Sequence, residues 1–209
     1  MAGGFWTLQR TAGLLKRPLQ ERKGAAKRRL PRLLLFTDPA RTPDLEALAA
    51  ALPPGAALVY RAFGEPDAEP VARRLLERVR ARRGLLLIGA DAALAARVGA
   101  DGVHLPERAA GRARALKAVR PRWVVTAAAH SPAAVRRARA AGADAAVVSA
   151  VFPSRSPSAG APIGPLRLAQ IARRGGLPVY ALGGVGDATA GRLRSLPLAG
   201  FAAVDGFRT

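Results

Sequence analysis

Short apolar segments alternate with longer stretches of helical spacing from residue 33 to the end of the chain. Eight segments are apolar along almost their whole length and predict strands: Leu33–Phe36, Ala57–Tyr60, Leu85–Ile88, Gly102–Leu105, Trp123–Ala127, Ala145–Ser149, Val179–Leu182 and Phe201–Val204. The stretches between them predict helices: Asp44–Leu52, Ala68–Arg83, Ala92–Val98, Ala109–Val119, Pro132–Ala141, Pro165–Arg174 and Ala188–Leu196. Strands that alternate with helices indicate βαβ units and a parallel sheet buried on both faces.

Eight such strands favour a closed (β/α)8 TIM barrel over an open sheet. The sequence stops at Thr209, soon after the eighth strand, so the pattern predicts a barrel truncated at its last helix. Part of the barrel wall would then be bare, and we expect either the N-terminal segment or a second subunit to cover it. A homodimer is therefore left open.

Residues 1–31 differ from the rest and are interpreted as a basic N-terminal extension, with residues 32–209 forming the barrel domain. Apolar residues there could form part of a helical stripe: Phe5, Trp6, Leu8, Leu14, Leu15 and Leu19. Pro18 would break or kink such a helix.

Two similar phrases, at 98–103 and 141–146, each place a glycine before an aspartate and the next strand. Gly99 and Gly142 are expected to end helices in the left-handed conformation. Asp101 and Asp144 then fall at the amino-terminal end of the barrel, where a structural role is expected.

Composition sets limits on location and partners. The 34 Lys and Arg against 14 Asp and Glu give a net charge of +20, which attracts polyanions or phosphorylated small molecules. An Arg- and Ala-biased composition of solvent-facing helices is the alternative explanation. Aromatic residues make up only 5%, which disfavours nucleic acid as a partner. The absence of cysteine and of a membrane-spanning apolar run leads us to expect a cytoplasmic protein without a membrane span.

Polar residues that follow the strands are the candidates for chemistry, because barrel active sites lie at the carboxyl ends of the strands. His130, after the fifth strand, is the acid/base candidate, although a structural role is the alternative. His104 is expected to point inward as barrel filling or a pocket wall. Gly183 and Gly184 precede a helix start, where backbone N–H groups can hold a phosphate.

The loop after the sixth strand is rich in Ser, Pro and Gly. Ser154 and Ser156, together with Arg155 and Ser158, could bind oxyanions there, and a plain flexible loop is an equal alternative. The sequence has no cluster with metal-ligand spacing, no P-loop and no dinucleotide fingerprint.

The order of several motifs resembles the family of thiamine-phosphate synthase and TenI, a thiazole tautomerase. The similar segments run in order from residue 33 to about 207: LLFTD at 34–38, VGADGVHL at 98–105, AHS at 129–131, VFPSRS at 151–156 and ALGGV at 181–185. The resemblance implies a barrel that acts on thiazole phosphate or pyrimidine diphosphate. It assigns diphosphate binding to Arg61, anion binding to the hydroxyls of Ser154 and Ser156, thiazole-phosphate binding to Gly184, and proton transfer to His130.

Several positions depart from the family pattern. Phe63 stands where the diphosphate motif has a lysine, and Gly89-Ala90 stand where it has Asn-Asp. The second magnesium-binding aspartate falls near Ala109, Pro157 replaces a lysine, and Asp205 replaces a serine at the phosphate site. Without those carboxylates, Mg²⁺-assisted departure of diphosphate is hard to support.

These observations predict a thiamine-phosphate synthase/TenI-family protein of thiamine biosynthesis or salvage with a degenerate Mg²⁺-diphosphate site. The activity is either that of a synthase-like transferase or that of a TenI-like tautomerase, and Mg²⁺ is expected only if synthase activity is retained. A non-catalytic regulatory barrel that binds polyanions through its basic surface is the alternative.

Overall fold

The computed structural model describes residues 3–15, 30–154 and 160–204. Its strands are β1 (Leu33–Phe36), β2 (Ala57–Tyr60), β3 (Leu85–Gly89), β4 (Gly102–Leu105), β5 (Val124–Ala129), β6 (Ala145–Val148), β7 (Val179–Ala181) and β8 (Gly200–Ala203). The α-helices are α1 (Gly3–Gly13), α2 (Leu45–Ala50), α3 (Ala68–Ala81), α4 (Ala92–Val98), α5 (Ala113–Val119), α6 (Pro132–Ala140), α7 (Gly164–Arg174) and α8 (Asp187–Ala190). Two 3₁₀-helices span Glu107–Arg112 and Gly191–Leu193.

The eight strands form a closed parallel barrel in chain order, which confirms the predicted fold class. Each strand pairs with its neighbours, and β1 closes the ring by pairing with both β2 and β8. Leu34 lies opposite Ala57 on one side and Ala202 on the other. Because every strand is parallel, all eight carboxyl ends meet at one mouth.

Alternate residues of each strand fill two separate apolar layers. Leu34, Phe36, Val59 and Tyr180 belong to the cluster inside the barrel. Leu33 and Leu35, one position away along β1, belong to the cluster between the strands and the helices. This alternation explains why the strands are apolar throughout, since both of their faces are buried.

Side-chain caps determine where three of the helices begin. Asp44, Asp91 and Ser131 each accept a hydrogen bond from the backbone N–H three residues further on, at the starts of α2, α4 and α6. Such a cap satisfies one of the free N–H groups of the first turn and contributes about 1 kcal/mol.

Two predicted helices are wrong in extent. The stretch Ala109–Val119 divides into a 3₁₀-helix and α5, and Ala188–Leu196 reduces to α8 with a following 3₁₀-helix. Gly111 and Gly191 lie within these stretches, and glycine is a poor residue for the interior of an α-helix.

The amino-terminal end of the barrel is held by the two aspartates predicted to be structural. Asp101 Oδ2 accepts a hydrogen bond from Leu86 N, and Asp144 Oδ2 accepts one from Val125 N. Lys117 Nζ also lies 2.8 Å from Asp144 Oδ2. Gly99 and Gly142 have φ values of 71° and 86°, as the predicted helix ends require.

Helix α1 packs over the barrel wall where β8 pairs with β1, and it contacts β1, β8 and α8. Leu8, Ala12 and Leu15 are buried there, and the Leu15 carbonyl accepts a hydrogen bond from Arg32 Nη2. The structure therefore places the N-terminal segment over the wall that was expected to be bare. Leu14 was wrongly assigned to the apolar stripe, because its side chain is exposed just beyond the end of α1. Leu19 and Pro18 lie outside the described residues.

None of the helices in the described ranges has the length and apolar character needed to cross a bilayer.

Candidate active site

Hydrogen bonds hold Arg61 against the loop that follows β1. Its backbone N–H donates to Thr37 Oγ1 at 2.9 Å, its Nε donates to the Thr37 carbonyl at 2.6 Å, and its Nη2 lies 3.0 Å from Asp38 Oδ2. The side chain runs past Gly89 at the end of β3, where a Cβ atom would lie 3.0 Å from Arg61 Cγ. The glycine at position 89 therefore leaves room for the arginine to lie across the rim.

Two guanidiniums, those of Arg41 and Arg61, share the single carboxylate of Asp38. Asp38 also receives Arg41 Nη2 at 2.9 Å and the Ala40 N–H at 3.2 Å. The hydrogen bond from Arg41, with the charge of Arg61 nearby, holds the pKa of Asp38 below its usual value. Burial lowers the pKa of the Arg61 guanidinium, and Asp38 opposes this effect. Arg61 thus enters the site as a cation that already has a carboxylate partner.

The carboxylates near the ends of β3 and β4 do not fit Mg²⁺. Asp91 caps α4, and Glu107 accepts from the His130 N–H and pairs with Arg137 at 3.0 Å. Ala90 and Ala109 supply no ligand. Within residues 3–15, 30–154 and 160–204, no group of three or more His, Cys, Asp or Glu side chains could hold a metal ion. Since Mg²⁺ prefers carboxylate oxygens, the donor set argues against a magnesium site at this part of the mouth.

His104 lies inside the barrel, as predicted. Its Nδ1 is 2.9 Å from Thr126 Oγ1 on the neighbouring strand, and its ring packs edge-on against Phe36 with centroids 4.9 Å apart. Burial lowers the pKa of His104 to about 3, so the imidazole is neutral near pH 7. This histidine forms part of the pocket wall.

His130 is exposed at the mouth, directly after β5. Its Nδ1 lies 2.8 Å from the Ser149 carbonyl oxygen, which can only accept, so Nδ1 carries the proton. Its backbone N–H donates to Glu107 Oε2 at 3.0 Å. The ring is thereby oriented with Nε2 available to take up a proton, the arrangement that general base catalysis needs.

Gly183 and Gly184 form a turn that packs closely on the loop after β6. Their φ values are 89° and 63°, in the left-handed region that favours glycine. A Cβ atom at Gly184 would lie 2.4 Å from the Pro153 carbonyl oxygen, and one at Gly183 would lie 2.8 Å from Ala150 Cα. Both positions therefore require glycine.

The same turn has backbone N–H groups without a carbonyl partner among the residues that the structure describes. The N–H groups of Gly183, Gly184 and Val185 donate to no other backbone carbonyl in the described part of the chain. The Gly184 carbonyl instead accepts from Thr189 Oγ1, which also accepts from the Gly186 N–H. Consecutive N–H groups held in this way can bind an anion.

The serine-rich loop is only partly described. Ser154 is half-buried, whereas Ser156 lies outside the described residues, as do Arg155, Ser158 and Asp205. The anion-binding role of the two serines and the place of Asp205 at the phosphate site are therefore still predictions.

The structure thus brings the histidine and the glycine turn together, whereas Arg61 bonds to the loop after β1. Ser149, which binds the His130 ring, is followed by Ala150, which packs against Gly183. No hydrogen bond or ion pair among the described residues joins Arg61 to this group.

Two features of the mouth were not predicted from the sequence. Glu107 positions His130 and Arg137 through its two carboxylate oxygens. Arg192 lies over the ring of Phe152, 5.0 Å from its centroid, and Phe152 also borders Gly184. Through Phe152, Arg192 therefore brings a positive charge near the glycine turn. Its only signal in the sequence is the arginine within the segment Gly191–Leu193.

The fold and its mouth define the class of protein as a single (β/α)8 barrel with polar and glycine-rich groups after the carboxyl ends of its strands. The family described as "Thiamine monophosphate synthase" (TMP-TENI) matches residues 33–207. The chain belongs to this family.

Relatives and a solved structure agree with that assignment. The chain is 32% identical to "Putative thiamine-phosphate synthase 2" of Aquifex aeolicus over 161 residues, covering 75% of this chain and 86% of that protein. It is 32% identical to the thiamine-phosphate synthase of Alcanivorax borkumensis over 174 residues, covering 79% of each chain. The thiamine phosphate pyrophosphorylase structure from Pyrococcus furiosus superposes with a TM-score of 0.71 at 25% identity, covering 83% of this chain and 85% of that one.

Proposed function

We propose that this protein binds a phosphorylated thiazole of thiamine biosynthesis or salvage and moves a proton on it by acid–base catalysis. The observation that carries the proposal is the contact between His130 Nδ1 and the Ser149 carbonyl. This contact fixes the ring beside the glycine turn and leaves Nε2 to exchange a proton with the substrate.

The glycine turn is proposed to hold the phosphate. Donors are supplied by the N–H groups of Gly183, Gly184 and Val185, which bond to no backbone carbonyl of the described residues, and Arg192 on the Phe152 ring supplies positive charge. The paired hydroxyls of Ser154 and Ser156 are proposed as further contacts from the loop after β6, as the family resemblance implies. In this arrangement phosphate binding and proton transfer occur at the neighbouring ends of β5, β6 and β7.

The reaction is proposed to be tautomerisation rather than the joining of a pyrimidine to a thiazole with loss of diphosphate. Arg61, the expected diphosphate ligand, already binds Thr37 and Asp38, and the carboxylates after β3 and β4 have structural partners. A diphosphate would meet two guanidiniums that share one carboxylate, and no magnesium site within the described residues. We therefore infer that the diphosphate half of the site is degenerate.

The test compares the wild type with His130→Gln in two assays. Proton transfer on a phosphorylated thiazole should be abolished in the variant, because glutamine cannot act as a base. Binding of the same ligand, measured by calorimetry, should persist, because the glycine turn is intact. Equal turnover by both proteins would refute the role of His130.

A second assay separates the two reactions of the family. Release of pyrophosphate from pyrimidine diphosphate and thiazole phosphate is measured with and without Mg²⁺. The proposal predicts no magnesium-dependent release. Release that requires Mg²⁺ would show a retained synthase and contradict the inferred degeneracy.

A further inference from the structure

The turn that follows β2 places a bulky aromatic residue in an unfavourable conformation. Phe63 and Gly64 have φ values of 50° and 86°, and the Glu65 N–H donates to the Ala62 carbonyl at 3.0 Å. Positive φ at both central residues defines a type I′ turn, which favours Asn or Gly at the first of them. A phenylalanine there is strained, and strain of this kind is concentrated at functional sites.

Phe63 is also far more exposed than a phenylalanine usually is. Its side chain is 65% exposed. The position thus combines backbone strain with the exposure of an apolar ring, and both cost stability. Neither is explained by packing of the barrel core, in which Phe63 takes no part.

The ring has a rigid support on one side. The Arg61 Cζ atom lies 5.1 Å from the centroid of Phe63 and 5.9 Å from that of Phe36, so the guanidinium contacts both rings. Hydrogen bonds to Thr37 and Asp38 hold the guanidinium in place. The Phe63 ring therefore lies beside a hydrogen-bonded cation at the end of β2, while most of the side chain is open to solvent.

We propose that Phe63 is a stacking surface for the planar heteroaromatic ring of the ligand, and that Arg61 supports it from behind. This inference rests on the proposed function, since it assigns the ring-recognition half of the same site. An aromatic surface suits a thiazole or pyrimidine ring, which has an apolar face, and offers nothing to a free phosphate. Phe63 thereby contributes specificity for the ring, while the glycine turn contributes affinity for phosphate.

The experiment measures binding to the full chain by calorimetry with two probes, hydroxyethylthiazole phosphate and inorganic phosphate. Phe63→Ala should weaken binding of the thiazole phosphate about fivefold or more, the usual effect of removing a ring–aromatic stack. It should leave binding of inorganic phosphate unchanged. Phe63→Tyr should restore the affinity for thiazole phosphate, because it restores the ring.

Two further variants separate recognition from stability. Phe63→Asn, which suits the turn, should raise the melting temperature and still lose affinity for the thiazole phosphate. Val119→Ala is the matched control, because Val119 is another exposed apolar side chain. It lies at the carboxyl end of α5, the helix that precedes β5. It should bind both probes as the wild type does.

The outcomes distinguish this inference from the proposed function. If Phe63→Ala binds the thiazole phosphate as tightly as the wild type, or Phe63→Tyr as weakly as Phe63→Ala, the stacking role is overturned and the phosphate site stands. If the wild type binds neither probe, both proposals are overturned.

Discussion

Acid should destabilise the protein through His104, which is neutral in the folded state and charged in the unfolded chain. Desolvation of this half-buried imidazole inside the barrel, together with the nearby charge of Arg61, lowers its pKa from 6.5 to about 3. Below pH 6.5 the unfolded chain therefore binds a proton that the folded protein does not, and stability falls as the pH falls. The loss is on the order of 2 kcal/mol between pH 6.5 and 4.5.

Urea unfolding at a series of pH values between about 7.5 and 4.5 measures this loss. Working above about pH 4.5 keeps Asp38 out of the comparison. The stability that its lowered pKa provides is present above its ordinary value of 3.8 and is lost at still lower pH.

The substitution His104→Asn isolates the contribution of His104 protonation to the pH dependence of stability. Its amide occupies the place of Nδ1 beside Thr126 and does not titrate over this range. The variant should be less stable near neutral pH, because it loses the ring contact with Phe36, but its stability should change much less with pH. His130→Asn is the control, since it removes the other histidine of the chain and retains His104. If wild type and His104→Asn lose the same free energy of unfolding on acidification, the lowered pKa of His104 does not account for the loss.

Other substitutions test other contacts. Asp144→Ala should lower the free energy of unfolding by about 2 kcal/mol, because the Val125 N–H loses its acceptor and Lys117 keeps only the Trp123 carbonyl; a loss under about 1 kcal/mol in urea unfolding would contradict this. Ala90→Gly should raise stability by about 1 kcal/mol, because Ala90 has a φ of 63°, and an unchanged melting temperature would argue against strain there. Deletion of residues 1–28 should lower the melting temperature, because it removes Leu8 and Leu15 and exposes the apolar surface on which they pack. An unchanged melting curve would show that α1 does not stabilise the barrel.

The sequence predicted best those elements that have a local signal. Helix α4 has its predicted bounds because Asp91 caps its start and Gly99 ends it in the left-handed conformation. Strands β1, β2 and β4 also have their predicted bounds, because their apolar runs end abruptly at polar or turn residues. The closed barrel followed from the number of strands and the regular alternation with helices.

The arrangement at the mouth depended on contacts that have no local signal. The partner of His130 is the backbone carbonyl of Ser149, and a carbonyl that accepts a side chain cannot be identified from residue type. Arg61 was predicted at the rim, but its hydrogen bond to the Thr37 carbonyl depends on the register of β1 and β2. The stacking of Arg61 between Phe36 and Phe63 likewise appears only when the two strand ends lie side by side.

The central claim is that the glycine turn binds phosphate next to His130. It is tested most directly by titrating ¹⁵N-labelled protein with hydroxyethylthiazole phosphate and following the backbone amide resonances. The account predicts saturable shifts of the Gly183, Gly184 and Val185 amides, accompanied by a shift of the His130 ring signals. Saturation of binding without a shift at these three amides would contradict it.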